Sequence, residues 1–466
     1  MSFNSNVTNH YQTLEYGKFV EVVNNTQFPP VSVVRYNSDT PAVSSVEAYS
    51  KYAILVKNVD DTTTNYTGNF NLGSDAFGRM RTSSPLTLFD SSHRYADNNL
   101  WATLTGVAAS AVFNQNQGLI EMRVNSLSGS RIYRETTKVF PYQPGKSLQI
   151  LTTFTFSPST TNLRQRVGYF GSDNGIYLEL DDDSLYMVER SLVSGSVSSS
   201  RIPRSQWNVD RLDGTGQSRI TLDITKAQIM FMDIEWLGLG TVRTGFVING
   251  QFVPCHYFNH ANLIDSTYIT TASLPLRYEI ENKAATSRSS MLKQVCSTVI
   301  SEGGYELRGL QQSVGTAITA PKALATAGTF YPIVTIRLKS SRLDGVVILT
   351  ALSLMGINTG LYKWQVIASG TTTGGTGTWV DAGTNSSVEY KLDATGITGG
   401  RILGSGYFTS NTQGATTIDI LKEALFKFQL ERDSFAGSAY ELTLAVAAST
   451  NTELVHGSVD WEEISR

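Results

Sequence analysis

The chain has 466 residues, of which 41% are hydrophobic and only 17% charged, and its formal net charge is −3. This length exceeds what one ordinary hydrophobic core needs, so we expect two or three folded units with surfaces built largely from neutral polar groups. The small net charge argues against a protein whose main task is to neutralise nucleic-acid phosphates, because that task requires clustered Lys and Arg.

Residues 1–75 are predicted to form an extended N-terminal arm. The first residues, MSFNSNVTNHYQ, lack the basic and apolar regions of a signal peptide, and the sequence has no run of eighteen apolar residues, so no membrane span is expected. Pro29-Pro30 and scattered Asn leave only short extended pieces that cannot bury a core. We expect the arm to pair with a neighbouring protein. The alternative is that it adds edge strands to its own chain.

The next landmark is FGRMRTSSPLTLFDS at residues 77–91. Arg79 and Arg81 are two residues apart and would share one strand face next to Phe77. Paired guanidinium groups there could meet carboxylates of the same or another subunit, and a solvated charged face is the alternative.

Residues 76–305 are predicted to form a central antiparallel β-sandwich, because short strand patterns recur with turn signals and no helical period between them. A hairpin is predicted where residues 181–184 separate two alternating runs. The predicted strands are 118–124, 130–137, 147–156, 165–171, 175–180, 185–190, 219–223, 228–236, 241–248 and 251–257.

The stretch 227–262 carries the strongest pattern of the chain. One strand face would hold Met230, Met232, Ile234 and Trp236, and the opposite face ends in two carboxylates. Asn249-Gly250 between apolar runs predicts a type I′ hairpin, since both central residues of that turn need a positive φ.

Residues 306–330 are rich in small residues and are predicted to be a linker, and residues 331–466 are predicted to form a second, C-terminal β-sandwich. Only residues 418–428 have a pattern that a helix could use. The final WEEISR is predicted to be a polar tail with Trp461 packed against the sandwich.

The sequence gives little support for a metal site, a phosphate-binding loop or a catalytic nucleophile. Cys255, His256 and His260 are close in sequence, but neighbouring strand residues point to opposite faces and a closed zinc site needs converging ligands. Neither a nucleophile elbow nor a phosphate loop is present. Two cysteines, Cys255 and Cys296, are too few for a disulfide framework, so we predict free thiols. We expect no catalytic, metal or cofactor residues.

Carboxylates are the remaining candidates for chemistry. Glycoside cleavage needs two of them across a cleft, and Asp233 and Glu235 share a strand face. Arg243 on the neighbouring strand would explain them equally well as an ion pair. Residues 181–183, three aspartates, are interpreted as a solvated hairpin tip in preference to a calcium site.

Several motifs in a fixed order support a resemblance to known proteins. They are FGRMRTSSPLTLFDS (77–91), FPYQPGKS (140–147), SQWNVDRLDGTG (205–216), IEWLGLGTVRTGFVING (234–250), LPLRYEI (274–280) and QVCSTVISEGGY (294–305). Over residues 70–310 the chain resembles a family of virion structural proteins from tailed phages, notably of marine and cyanobacterial hosts. The order of strands also resembles a concanavalin-like jelly roll. The resemblance implies a component of the virus particle rather than an enzyme.

The predicted function is therefore assembly: a virion component on the capsid exterior or at the neck or collar, working in several copies. The implied partners are other virion proteins (capsid, portal or tail) and copies of itself, without direct contact to nucleic acid. The candidate interface or supporting residues are Phe77, Arg79, Arg81, Trp236 and Arg243. Two alternatives stay open: a tail fibre or spike that binds a host surface glycan, and a virion-associated glycan hydrolase.

Overall fold

The computed structural model describes residues 84–410 and 427–465, together with the backbone of strands at 9–14, 18–23, 32–35 and 416–419. The chain divides into two compact units, Met1–Asn69 and Phe70–Arg466. In the first unit, β1 (Asn9–Leu14), β2 (Lys18–Val23) and β3 (Ser32–Arg35) form an antiparallel sheet in that order.

A central sandwich of two antiparallel sheets follows. Its strands are β4 (Leu86–Ser92), β5 (Trp101–Thr105), β6 (Ala109–Asn114), β7 (Leu119–Val124), β8 (Arg131–Thr136), β9 (Leu148–Thr155), β10 (Leu163–Phe170), β11 (Gly175–Asp181), β12 (Ser184–Ser191), β13 (Ser198–Pro203), β14 (Gln228–Ile234), β15 (Val242–Ile248), β16 (Gln251–Phe258), β17 (Leu276–Asn282) and β18 (Ser290–Ser301). Sheet 1 has the order β13-β12-β11-β10-β17-β8-β5. Sheet 2 has the order β16-β15-β14-β9-β18-β7-β6, and β4 pairs with β18.

Alternation along the strands places one apolar row of each sheet in a shared core. Met230, Met232 and Ile234 of sheet 2 are at most 2% exposed and belong to the same core as Leu178 and Tyr278 of sheet 1. The inward-facing prediction for these three residues is confirmed. Trp236 lies beyond the end of β14 and is only partly buried against this core.

The predicted hairpin at Asn249-Gly250 is confirmed. The two residues have φ values of 52° and 75°, and Ile248 pairs with Gln251 across the turn. The hairpin at residues 181–184 is also present, since Asp181 pairs with Ser184.

The predicted strand at 219–223 is wrong. This segment is a loop in which only Asp213 and Thr221 form an isolated bridge. Its backbone bonds to the residues just before it, since the Gly214 N–H donates to the Ile220 carbonyl at 3.0 Å and the Leu222 N–H donates to the Leu212 carbonyl at 2.8 Å. The Asp210 carboxylate holds the turn between them by accepting hydrogen bonds from the backbone N–H of Leu212 at 2.8 Å and Ser218 at 2.7 Å.

The second sandwich contains β19 (Leu310–Gly315), β20 (Lys322–Leu324), β21 (Tyr331–Leu338), β22 (Val346–Gly356), β23 (Gly360–Thr373), β24 (Val380–Asp381), β25 (Val388–Lys391), β26 (Gly396–Thr398), β27 (Arg401–Ser410), β28 (Thr416–Asp419), β29 (Arg432–Asp433), β30 (Ser438–Ala439), β31 (Glu441–Ala448) and β32 (Glu453–Ser465). Sheet 3 has the order β19-β32-β22-β28, with β20 also on β32. Sheet 4 has the order β24-β25-β21-β31-β23-β26, with β27 on β23. The pair β29-β30 stands apart.

The all-β fold with two antiparallel sandwiches is confirmed. The described residues include two short 3-10 turns, Arg204–Gln206 and Ser340–Arg342, and otherwise consist almost entirely of strands and loops. Within that part of the chain no helix has the length and apolarity to cross a membrane. Residues 418–428 have a sequence pattern that a helix could use, and most of this segment lies outside the described residues.

Two expectations about the second sandwich differ from the structure. The segment predicted as a linker contributes β19 and β20, and both pair with β32. The final residues are not a polar tail, because Trp461, Glu462 and Glu463 are buried within β32 at 0%, 3% and 1% exposure. Glu463 is tolerated there because its carboxylate accepts hydrogen bonds from the Ser386 hydroxyl, the Ser387 backbone N–H and the Trp461 indole.

Candidate binding groove and charged sheet face

The outer face of sheet 1 carries a network of cross-strand ion pairs. Arg166 on β10 lies opposite Glu179 on β11 and Glu279 on β17. The guanidinium of Arg166 forms an ion pair with Glu279, and the exposures of the three residues are 6%, 2% and 1%. Opposite charges on adjacent strands stabilise a sheet, and these groups neutralise one another where water is largely excluded.

A second row of pairs runs beside the first. Arg164 forms an ion pair with Glu281, to which Tyr133 donates its phenol O–H. Burial alone would raise the pKa of Glu281, but the Tyr133 hydrogen bond and the guanidinium groups of Arg164 and Arg166 lower it. Arg201 on β13 contacts Glu179 at 2.6 Å and Asp181 at 2.7 Å.

The carboxylates considered for glycoside cleavage therefore have partners. Asp233 forms an ion pair with Arg243, as the cross-strand interpretation predicted, and their α-carbons are paired in register. The Glu189 carboxylate lies 2.7 Å from His260, and the Glu235 carboxylate accepts a 3.4 Å hydrogen bond from the backbone N–H of Thr241. Asp233 therefore contacts a guanidinium, and Glu235 contacts a backbone N–H.

The two sandwiches meet at a joint built on Arg432. Its guanidinium donates to Glu135 at 2.7 Å, to the Thr136 carbonyl at 2.6 Å and to Asp344 at 3.1 Å, and its side chain is 2% exposed. The side-chain amide of Gln429 donates to the Val139 carbonyl at 2.7 Å. We call these contacts, with the apolar cluster Val139, Val346 and Ile348, the inter-sandwich joint.

An open groove lies beside the edge of the central sandwich, where β12 and the segment before β13 face the loop after β16. Its volume is about 1060 Å³. We call it the His260 groove, and its lining residues are Glu189, Ser191, Val193, Ser194, Ser198, His260, Asn262, Leu263, Ile264, Asp265, Ser266, Thr267 and Tyr268.

His260 forms a fixed floor of this groove. Its Nδ1 lies 2.5 Å from the Gly240 carbonyl and its Nε2 lies 2.7 Å from Glu189 Oε2. The imidazole stacks on the Tyr268 ring with centroids 3.9 Å apart and an interplanar angle of 4°. Both ring nitrogens lie within hydrogen-bond distance of an oxygen atom, so the two contacts fix the orientation of the ring.

The candidate residues named from the sequence do not form one site. Arg243 pairs with Asp233 on sheet 2, and the Trp236 ring packs edge-on against Tyr142 at 6.0 Å between centroids. Phe77, Arg79 and Arg81 lie outside the described residues. The interface roles of all five stay predictions.

Cys255, His256 and His260 do not converge. The Cys255 thiol is buried in the core, His256 accepts a 3.3 Å hydrogen bond from the Asn208 backbone N–H, and His260 contacts Glu189. Cys255 and Cys296 are free thiols, as predicted. In the part of the chain that the structure describes, no group of three or more His, Cys, Asp or Glu is arranged to hold a metal ion.

Sequence reasoning missed the His260–Glu189 pair and the inter-sandwich joint. The partners are separated by 71 residues in the first case and by 297 in the second, Glu135 with Arg432. No local spacing connects such residues. Arg432 stands in a run of three charged residues, between Glu431 and Asp433, and such a run is an ordinary surface pattern.

Comparison with known proteins gives fold-level likenesses only. No family model matches, and no curated protein matches. The chain is similar to the carbohydrate recognition domain of Emp47p (12% identity, 49% of this chain and 99% of that one, TM-score 0.30). It is also similar to a glycoside hydrolase family protein from Mycobacterium thermorestibile (11% identity, 46% and 99%, TM-score 0.31) and a legume lectin-like domain from Entamoeba histolytica (7%, 47% and 97%, TM-score 0.27).

Proposed function

We propose that the chain is a structural component of a tailed-phage virion, on the capsid exterior or at the neck or collar, and that it acts by assembly. The ordered motifs between residues 77 and 305 support the family, and the observation that carries the mode of action is the inter-sandwich joint. A particle component can hold its neighbours at fixed relative positions only if its own domains keep a fixed relative orientation.

The inter-sandwich joint fixes the relative orientation of the two sandwiches through both polar and apolar contacts. Arg432 is almost fully buried while it contacts Glu135, and Val139 packs against Val346 and Ile348 from the second sandwich. Domains joined by small polar surfaces move relative to one another by default, whereas a buried, hydrogen-bonded charge fixes one orientation. The two sandwiches therefore act as one rigid block.

The paired carboxylates disfavour the hydrolase alternative. Glu179 and Asp181 both contact Arg201, and Asp233 contacts Arg243, so each of these carboxylates lies beside a guanidinium. A general acid needs the opposite environment, one that keeps its proton.

Host attachment through a surface glycan is the second candidate function. The His260 groove favours it, because this groove is wide, is lined by several hydroxyl groups and lies outside the sandwich core.

Deletion of residues 1–75 tests the assembly proposal. We expect the shortened chain to stay folded, since the sandwiches lie within residues 84–465, but to be absent from purified particles because the arm provides the contact with the neighbouring protein. Mass spectrometry of particles purified from complemented infections would measure copy number. Circular dichroism of the shortened chain controls for folding.

Two results would count against the proposal in different ways. If the full-length chain is missing from purified particles, the virion assignment fails. If the shortened chain is incorporated at normal copy number, the arm is not the attachment point, and the sandwich surfaces must provide it.

A further inference from the structure

We propose that the His260 groove binds an uncharged oligosaccharide. This inference deepens the second candidate function and does not depend on where in a particle the chain is placed. It rests on the charge, hydrogen-bonding capacity and exposed apolar surface of the groove.

The charge of the lining residues argues against an anionic ligand. The lining contains two acids, Glu189 and Asp265, and neither Lys nor Arg is among its residues. Glu189 contacts His260, while Asp265 is exposed on the rim. A phosphate, sulfate or uronate would meet negative charge without a cationic partner, so the ligand is neutral or cationic.

Hydrogen-bonding capacity then favours a ligand rich in O–H donors. Ser194 donates to the Ser196 carbonyl at 3.0 Å, Ser198 to the Ser191 carbonyl at 3.4 Å, and Ser266 to the Thr267 carbonyl at 3.4 Å. These hydroxyls use their protons within the loops and keep oxygen lone pairs for a ligand. Sugar hydroxyls supply many such donors at short spacing, in more directions than a single amine.

The groove also presents apolar surface to solvent. Leu263 is 71% exposed and Ile264 is 39% exposed. Their position is fixed, since the backbone N–H groups of both residues donate to the His260 carbonyl, at 2.9 and 3.1 Å. Alkyl side chains in such a place suit the C–H face of a sugar ring, which is the less polar side of an otherwise hydroxylated ligand.

The floor is organised before any ligand arrives. His260 is held by Gly240 and Glu189, and Tyr268 under it is 4% exposed, with its backbone N–H donating to the Gly238 carbonyl at 3.1 Å. A prearranged site loses less entropy on binding. At about 1060 Å³ the groove is at the upper end of ligand-site sizes, which fits a chain of sugar rings better than a single ring.

An oligosaccharide array probed with the full chain tests the proposal. The probes are uncharged hexose and N-acetylhexosamine oligomers, sulfated and uronic-acid oligomers, and a lysine-rich peptide. We expect binding to uncharged oligomers. Leu263→Asp should weaken it by about tenfold or more, because a hydrated carboxylate replaces the apolar contact. Leu127→Asp is the matched control: Leu127 is 51% exposed on the same sandwich and does not line the groove, so this variant should bind normally.

Several outcomes would overturn the inference: binding of none of the oligomers, preference for the sulfated or uronic-acid oligomers, preference for the lysine-rich peptide, or equal binding by Leu263→Asp and Leu127→Asp. Incorporation of Leu263→Asp into particles separates the two proposals. If that variant is incorporated normally while its binding is lost, both the groove assignment and the assembly role stand. If the full-length chain is never found in particles but binds uncharged oligomers, only the assembly role fails.

Discussion

Two histidines of the central sandwich are buried in a way that opposes their charged form. Burial lowers the pKa of His256 from its ordinary value of 6.5 to about 4. Burial also lowers the pKa of His93 to about 4. The Asp97 carboxylate, 3.9 Å away, opposes this shift, and the Arg134 guanidinium adds to it. Both side chains are therefore neutral in the folded protein near neutral pH.

The sign of the pH dependence follows from these pKa values. Between pH 6.5 and about 4 the unfolded chain binds a proton at each histidine and the folded chain does not, so stability is complete above 6.5 and falls as the pH drops. One pKa unit corresponds to ~1.4 kcal/mol, so we expect a loss of about 2–3 kcal/mol per histidine by pH 4. Urea unfolding followed across pH 4–7.5 measures it.

His256→Gln provides the control, because glutamine keeps an acceptor for the Asn208 N–H but does not titrate. Its free energy of unfolding should vary less with pH over this window than that of the unchanged chain. An unchanged pH profile in His256→Gln would show that His256 is not responsible.

Single residues were predictable from sequence where a strand register links them. Asp233 and Arg243 could be paired because they lie on adjacent strands of one alternating stretch. Glu135 and Arg432 could not, since their contact depends on how two separate sandwiches dock. The same holds for His260, in the loop after β16, and Glu189, on β12 of the other sheet.

At the scale of elements, the β15–β16 hairpin contains two glycines with different tasks. Gly250 has a φ of 75°, and a Cβ there would meet nothing within 4 Å, so only its backbone conformation disfavours other residues. Gly245 lies at a register shift between the strands, where a Cβ would come within 2.2 Å of the Val253 carbonyl oxygen and 2.7 Å of the Phe231 ring.

Alanine at these two glycines should therefore have unequal costs. We expect Gly250→Ala to lower the free energy of unfolding by about 1–2 kcal/mol through positive-φ strain. Gly245→Ala should cost more, about 3 kcal/mol, because the backbone must shift to admit the methyl group. Chemical denaturation of both variants tests the order. Equal costs would mean that the strands separate easily at the register shift.

Most of the predicted strands were found, but β4, β5, β6, β13, β17 and β18 were absent from the prediction, although β18 alternates between buried and half-buried residues. Nine of the ten strands predicted for the central sandwich match observed strands, and the exception, residues 219–223, forms backbone hydrogen bonds to the nearby residues Leu212 and Gly214. β13 escaped prediction because its sequence SSSRIP has no apolar alternation. It needs none, because an edge strand with four exposed residues is formed mainly by its backbone pairing with β12.

At the scale of the whole molecule, the inter-sandwich joint should make Phe70–Arg466 unfold cooperatively. Arg432→Ala removes a buried partner of Glu135, and breaking such a pair costs about 3–5 kcal/mol. We expect one calorimetric transition for this unit in the unchanged chain and two separated transitions in Arg432→Ala.

Arg308→Ala is the matched control for the joint. Arg308 pairs with Glu306 on the surface, with 77% of its side chain exposed, so its loss should cost less than about 1 kcal/mol and leave the transitions merged. Merged transitions in Arg432→Ala as well would show that the apolar cluster alone couples the sandwiches.

The separation of Glu135 from Arg432 also has a consequence for biosynthesis. Every strand of the central sandwich has left the ribosome soon after residue 301, but the docking segment around Gln429 and Arg432 emerges only after about 130 further residues, roughly 6–26 seconds later at ~5–20 residues per second. During that interval the surface around Glu135, which contacts Arg277 at 3.2 Å, and the apolar Val139 is not yet covered by the second sandwich. A chaperone or a neighbouring nascent chain would have to bind that surface before the second sandwich is translated and covers it.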